Sequence, residues 1–224
     1  MLPDREVIDQ IVFLEWSMFQ SVNEESGVRA ECQDDYDTFD GMRRGQFEAW
    51  SQDAAESYLK DLMVAAQTER NLISEKYIRM MKPTAPARYE TLAAALVKPS
   101  PRAQTAANEI SEKLLTQTSA LFAKYPYVSG SGRPLRSSAD FSGVVSIETY
   151  QLGELLTYSE RTLLALRGHL LALEEEGRSL AEEILLNSVK FYGYKTLAEA
   201  EASAKAHAEE EVVEISYGCE ACGE

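Results

Sequence analysis

The chain has 224 residues, and 45% of them are hydrophobic, which is enough apolar material for one sizeable core. Its net charge of -15 argues against broad contact with nucleic acid or with anionic membrane surfaces, since both depend on clustered Lys and Arg. Three cysteines are too few for a secreted disulfide scaffold and agree with a reducing compartment.

No apolar run approaches the roughly 20 residues that a bilayer-spanning helix needs. The first residues are acidic and do not form a basic leader followed by an apolar stretch. The sequence therefore predicts a cytoplasmic protein with no membrane and no nucleic-acid partner.

The first part of the chain predicts three helices. Apolar residues recur at three- and four-residue spacing over 4–23, which is the stripe of one helix. The segment 26–45 is rich in Asp and is predicted as a loop that enters a second helix. Ser51 can cap a long third helix that continues through Met81, where Lys82 and Pro83 end it.

The middle of the chain predicts two helices and the longest loop. A short helix is expected over 86–96, and Ser100 with Pro101 begins another that ends near Tyr125. The segment at about 126–146 contains glycines, prolines and serines without helical periodicity. Loops of this length often carry function, and this one is predicted to act as a lid.

The last part of the chain is again helical. Ser146 opens a helix that is expected to reach about Glu176, Gly177 interrupts it, and a further helix covers 180–192. Thr196 and Glu199 have the spacing of a capping box and begin the last helix.

These elements predict an all-α fold, a single-domain bundle of six to eight helices. The helical domain is expected to occupy 1–211, and a C-terminal tail 212–224. Within this tail, 212–217 has the composition of one short strand.

Charged residues fall on helix faces that should be buried. At about 100° per residue, Glu15 lies in the middle of the first apolar stripe. Glu69 and Lys76 share one face of the predicted long helix, and their opposite signs suggest pairing. Glu148 lies on an apolar stripe, while Tyr150 and Glu154 belong to a polar and aromatic stripe of the same helix.

A buried charge without a partner costs several kcal/mol, so each of these groups must be compensated. One interpretation is an ion-pair network between helices that holds no ligand. The other is a polar pocket lined by Glu15, Lys76, Glu154 and neighbouring aromatic residues. Glu148 has the further explanation of a first-turn acid favoured by the helix dipole.

Two loops add candidate ligand-binding residues. Arg29, Gln33 and Asp34 lie in a polar segment near Trp16 in the sequence, and this segment either contributes to a site or caps the second helix. Arg133 and Arg136, in the long loop, can grip a carboxylate or phosphate or else neutralise the buried acids.

Several runs of residues resemble an uncharacterised bacterial family, a domain of unknown function. The resemblance covers most of the chain, from Asp4 to about Glu201, and implies a helical fold and a bacterial origin. Because that family has no assigned activity, it implies no catalytic residues. The matching runs are Glu15-Trp16-Ser17-Met18-Phe19, Arg29-Ala30-Glu31-Cys32-Gln33-Asp34-Asp35, Glu75-Lys76-Tyr77 and Glu148-Thr149-Tyr150.

Cys219 and Cys222 form a CxxC pair near the C-terminus. Two thiolates are half of a tetrahedral zinc site, so zinc or iron would need Cys32 or a second tail from a homodimer. A redox pair and a passive tail are the alternatives. The two histidines, His169 and His207, do not form an ExxH pair, and the sequence contains no P-loop, GxGxxG, GxSxG or HExxH motif.

Three functions remain open. The first is a small-molecule or cofactor-binding protein, or an enzyme, whose pocket takes an anionic or zwitterionic molecule. The second is a non-catalytic accessory or interaction protein whose CxxC tail binds metal. The third is a structural helical protein in which buried ion pairs set the packing of the helices.

Overall fold

The protein is an assembly of helices in its computed structural model, which describes residues 2–22, 31–130 and 132–220, the last ten of these by their backbone. The α-helices within these ranges number eleven. They are α1 (Arg5–Gln20), α2 (Tyr36–Phe47), α3 (Gln52–Gln67), α4 (Leu72–Thr84), α5 (Pro86–Leu92), α6 (Pro101–Lys124), α7 (Pro126–Ser129), α8 (Ile147–Leu155), α9 (Glu160–Glu175), α10 (Leu180–Phe191) and α11 (Leu197–Glu220).

The predicted all-α class is confirmed, but the predicted number of six to eight helices is too low. Two of the predicted long helices are each broken into a pair, and the long loop contains the short helix α7. No β-strand occurs in the described ranges, where the only extended pairing is an isolated bridge between Phe141 and Val144.

The break between α3 and α4 corrects the prediction of one helix through Met81. Glu69 adopts a left-handed backbone conformation with φ of 56°, and the amide of Arg70 donates to the carbonyl of Ala65 at 2.8 Å. Asn71 then caps α4, because its side chain accepts from the amide of Ser74. α3 therefore ends at Gln67, and α4 begins as a separate helix at Leu72.

The break between α8 and α9 corrects the prediction of one helix from Ser146 to Glu176. Ser159 caps α9, and its own amide donates to the Asp61 carboxylate of α3 at 2.9 Å. The hydroxyl of Thr162 donates to the same carboxylate at 2.7 Å. A tertiary contact thus fixes a turn that helical periodicity does not indicate.

Serine side chains cap five of the eleven described helices, and the sequence predicts three of these starts, at Ser51, Ser100 and Ser146. Each of these side chains accepts a hydrogen bond from the backbone amide three residues later, which satisfies a donor that the helix leaves open. The serine caps are Ser51, Ser100, Ser146, Ser159 and Ser179.

The main hydrophobic core lies where α1, α3 and α9 pack side by side, with α2, α4, α6 and α8 around them. Its centre is aromatic, since Phe47, Trp50 and Tyr58 are almost fully buried and contact one another. A smaller cluster around Val189 and Leu197 joins α10 to α11.

The backbone of the C-terminal segment is helical, because α11 continues to Glu220. The prediction of a short strand over 212–217 is therefore wrong. Among the described helices, none combines the length and the apolar character that crossing a membrane requires.

Candidate functional site

Four charged side chains meet in the interior and form the charge cluster, which consists of Glu15, Arg43, Lys76 and Glu154. They come from α1, α2, α4 and α8, and each is at most 7% exposed. Arg43 Nε donates to Glu15 Oε2 and Arg43 Nη2 donates to Glu15 Oε1, both at 2.6 Å. This two-pronged contact is the strongest arrangement for an arginine and a carboxylate.

Glu154 is the second anion of the charge cluster. Its Oε2 accepts from Lys76 Nζ at 2.5 Å. Its Oε1 accepts from Arg43 Nη2 at 3.0 Å, from Gln46 Nε2 at 2.9 Å and from the Tyr158 hydroxyl at 2.7 Å. The two carboxylates and the two cations therefore balance in charge, and Arg43 bridges both acids.

Aromatic rings pack around the charge cluster. The Tyr58 hydroxyl donates to Glu15 Oε1 at 2.7 Å, and the rings of Tyr58 and Tyr158 lie 4.6 Å apart between centroids. Arg43 lies 4.9 Å from the centre of the Phe47 ring, and Lys76 Nζ lies 3.6 Å from that of Tyr150. In such surroundings charges interact more strongly than in water.

Two members of the charge cluster, Lys76 and Glu154, are held in their ionised forms. Burial alone would raise the pKa of Glu154, but Arg43 and Lys76 outweigh it and hold the pKa well below its ordinary 4.5. For Lys76, burial lowers the pKa and Glu154 more than restores it, so the net shift is upward. Burial, with the nearby carboxylates, raises the pKa of Tyr58 and Tyr158 well above 10.0. Glu154 is therefore not suited to donate a proton at neutral pH.

The close approach of α8 to α4 depends on Gly153. A Cβ atom at this position would lie 3.2 Å from the Lys76 carbonyl oxygen and 3.2 Å from Met80 Cγ. The absence of a side chain lets the neighbouring Glu154 reach Lys76, so the ion pair depends on a residue without charge.

Two cavities border the charge cluster. The larger one has a volume of about 370 Å³ and lies among α6, α8, α9 and α10, with α7 and the end of α2 at its margin. Its wall is mainly aliphatic and aromatic, including Trp50. Polar side chains also line it. Those that meet the charge cluster are Gln46, Tyr150, Glu154 and Tyr158, and the others are Thr118, Ser129, Gln151 and Ser188.

The smaller cavity has a volume of about 230 Å³ and lies on the side of α2 and α4. Three cationic side chains line it, namely Arg43, Lys76 and Arg133, with Asp35 as its one carboxylate among the described residues. Tyr150 lines both cavities and so stands at the boundary between them.

The other predicted ligand-binding residues near α1 are not part of the charge cluster. Trp16 packs against Phe19, Tyr36 and Phe39. Gln33 is buried and donates from Nε2 to the Phe19 carbonyl at 2.8 Å, which closes the C-terminal end of α1.

Two further members of that predicted set are placed differently. Asp34 is exposed on the surface beside the start of α2. Arg29 lies outside the described residues.

The arginines of the long loop do not pair with the buried acids. Arg136 makes a two-pronged contact with Glu112 at 2.7 and 2.9 Å. Arg133 donates to the carbonyl of Val145 at 3.1 Å and lies 5.2 Å from the centre of the Tyr150 ring. Glu148 accepts from the amide of Ser137 at 2.8 Å and so fastens the loop to the start of α8.

The predicted pairing of Glu69 with Lys76 is wrong. Glu69 is exposed in the turn between α3 and α4, whereas Lys76 pairs with Glu154. The buried acid on α4 is Glu75 instead, which accepts from Arg70 at 2.8 and 3.0 Å. The error follows from treating α3 and α4 as one helix, since the left-handed Glu69 interrupts the periodicity that placed Glu69 and Lys76 on one face.

The predicted set of ligand-binding residues does not include three important members of the site, which are Arg43, Gln46 and Tyr58. Arg43 and Gln46 lie one turn apart on α2, most of which falls in the segment 26–45 that is predicted as a loop. Tyr58 has the position of an ordinary core residue, because it belongs to an apolar stripe. The one available signal is chemical, because two acids on apolar faces require cations, but this signal does not select Arg43 among the arginines of the chain.

Residues predicted to bind metal are not placed by the structure. The side chain of Cys219 and the whole of Cys222 lie outside the described part of the chain. Within that part, no three His, Cys, Asp or Glu side chains are grouped as metal ligands would be. His169 contacts the Ala49 carbonyl and His207 the Ser203 carbonyl.

Comparisons with known proteins give one match. The model of a family described as "Protein of unknown function (DUF4125)" matches residues 5–202. No curated protein and no solved structure matches the chain. The matched segment contains the charge cluster and both cavities. The chain therefore belongs to the family of proteins of unknown function DUF4125.

Proposed function

We propose that the protein binds a small amphipathic organic molecule whose apolar part lies in the larger cavity. The observation that carries the proposal is the composition of this cavity, in which about 370 Å³ of space has a mainly apolar wall with a smaller number of polar groups, four of them beside the charge cluster. Small-molecule sites typically have volumes of roughly 300 to 1,000 Å³ and this kind of lining.

The ligand in this proposal lies beside the charge cluster and not between its members. Each carboxylate oxygen of Glu15 and Glu154 already accepts at least one hydrogen bond within the protein. Gln46 and Tyr150 are better placed to meet a polar end, because both line the cavity. The ion pairs then supply a rigid wall.

The mutual pairing of the four charges favours a second candidate, a structural helical protein. In that case the ion pairs only set how the helices pack, and the larger cavity holds no specific ligand. The two candidates differ in what happens when the cavity is filled by mutation.

Fluorescence of Trp50 tests the proposal, since this residue lies in the cavity wall and Trp16 is the other tryptophan of the chain. A Trp16→Phe background leaves Trp50 as the reporter. Titration with octanol, octanoate and octylamine then compares three polar ends on one apolar chain. We expect at least one of them to change Trp50 emission and to raise the melting temperature.

The matched variants are Thr118→Phe, which places a ring in the cavity, and Thr116→Phe, which lies exposed on the same helix. The first is expected to abolish the response and the second to keep it. An absence of response to all three compounds, or an equal response in both variants, would favour the structural candidate.

A further inference from the structure

The smaller cavity differs from the larger one in its charge. It lies in a protein with 37 acidic and 22 basic side chains, yet its lining includes Arg43, Lys76 and Arg133 against Asp35 alone among the described residues. Asp35 is engaged elsewhere, because it caps α2 by accepting from the amide of Thr38 at 3.0 Å. The cavity is therefore a cationic pocket in an acidic protein.

The charge cluster is neutral by itself, so Arg133 is the cation left over. Its guanidinium has five N–H groups, and the structure gives it one hydrogen bond, to the Val145 carbonyl. In the described part of the chain no carboxylate pairs with it. Lys76 Nζ has three N–H groups, and one of them is directed to Glu154.

Two tyrosine hydroxyls add to this set of donors. Tyr77 and Tyr150 both line the smaller cavity and are partly buried. Neither hydroxyl has a hydrogen-bond partner among the described residues, in contrast to Tyr58 and Tyr158, whose hydroxyls donate to carboxylates. The pocket thus combines unused N–H donors on two cationic side chains with the unused O–H donors of two neutral tyrosines.

We propose that the smaller cavity is an oxyanion site, in which a carboxylate or phosphate group is held by Lys76 and Arg133 together with the hydroxyls of Tyr77 and Tyr150. Such a group accepts several hydrogen bonds at once and offsets the repulsion between two cations that lie over the same tyrosine ring. The inference goes beyond the proposed function, since it assigns a second cavity with its own chemistry. The oxyanion is either a free small anion or the charged end of the molecule in the larger cavity.

Binding of inorganic phosphate, at constant ionic strength against chloride, tests the inference. We expect phosphate to raise the melting temperature and to slow the alkylation of Cys32, a residue of the same cavity, as followed by mass spectrometry of its peptide. Arg133→Gln should weaken phosphate binding by at least about tenfold, the loss of one charge-assisted contact. Arg136→Gln is the matched control, because this arginine is engaged by Glu112, and it should keep the affinity.

A second variant and a second ligand complete the test. Tyr77→Phe removes one spare donor without touching an ion pair, and it should also weaken phosphate. If octanoate binds more tightly than octanol, and Arg133→Gln removes this advantage, the oxyanion is the charged end of one ligand. If phosphate binding depends on Arg133 but octanoate has no advantage over octanol, the oxyanion is a separate molecule.

The inference is overturned if neither phosphate nor octanoate depends on Arg133. This result is distinct from failure of the proposed function, which is judged by octanol in the Thr118→Phe and Thr116→Phe variants.

Discussion

Arg43 joins two carboxylates that are distant in the sequence, Glu15 on α1 and Glu154 on α8. Both acids and the arginine are buried, so the loss of one partner leaves the others without full compensation. Arg43 therefore determines whether the buried carboxylates of α1 and α8 are paired or unpaired.

Replacement of Arg43 by Met leaves two buried carboxylates with reduced compensation. We expect Arg43→Met to lower the free energy of unfolding by about 3 to 5 kcal/mol, as measured by urea denaturation. Arg44→Met is the matched control. It removes the neighbouring arginine, whose partners Asp9 and Asp40 lie nearer the surface, and it should cost only about 0 to 1 kcal/mol. Equal effects of the two changes would contradict this account of the charge cluster.

The ionisation of Glu154 predicts a pH dependence of stability. Its pKa in the folded state lies well below the ordinary 4.5, because Arg43 and Lys76 stabilise the anion. As the pH falls, the Glu154 carboxylate is therefore protonated at a higher pH in the unfolded chain than in the folded chain. This contribution to stability is complete above the ordinary pKa and is lost as the pH falls towards the lower, folded-state pKa.

The measurement is the free energy of unfolding between about pH 6 and about pH 3, in wild type and in Glu154→Gln. The variant is less stable at neutral pH, but its stability should fall less steeply with acid. An identical slope would show that Glu154 does not carry the effect.

Gly153 governs contact between two elements, α4 and α8. Because a Cβ atom there would meet the Lys76 carbonyl and Met80 at 3.2 Å, we expect Gly153→Val to push α8 away. The cost should be about 1 to 3 kcal/mol in urea denaturation. Gly168→Val is the control, since this glycine is exposed within α9 and has no neighbour near its missing Cβ. It should be neutral or slightly stabilising, and a loss as large as that at Gly153 would contradict the packing argument.

The sequence predicts the helices where local signals suffice. Serine caps and the stripe of α1 are read correctly, since these signals lie within a few residues of each other. The break after Gln67 and the turn before Ser159 are missed. The first depends on a left-handed Glu69, and the second on a contact with Asp61 nearly 100 residues away.

The candidate site, too, can be predicted only as far as local signals in the sequence extend. Periodicity indicates correctly that Glu15, Lys76 and Glu154 lie on faces directed inward, because the pattern of apolar residues along a helix marks the side that it buries. It does not indicate that they meet one another through Arg43, since this requires knowing how four helices pack. The two cavities arise between elements and leave no pattern in the sequence.

For the whole molecule, the charge cluster is a shared wall between two spaces of different character. One is large and mainly apolar, and the other is small and cationic. This arrangement fits a ligand with an apolar body. It also explains why the buried charges pair with one another and not with a ligand, because paired side chains form a rigid wall that defines the cavity beside it.

A crystal structure of the protein soaked with ω-bromooctanoate tests this account most directly, because anomalous scattering locates the bromine atom. The account predicts a single strong bromine peak inside the larger cavity, close to Thr118 and Leu185 of its wall, and loss of this peak in Thr118→Phe but not in Thr116→Phe. A larger cavity without bromine, or a peak that persists in Thr118→Phe, would contradict the central claim that this protein holds a small amphipathic molecule there.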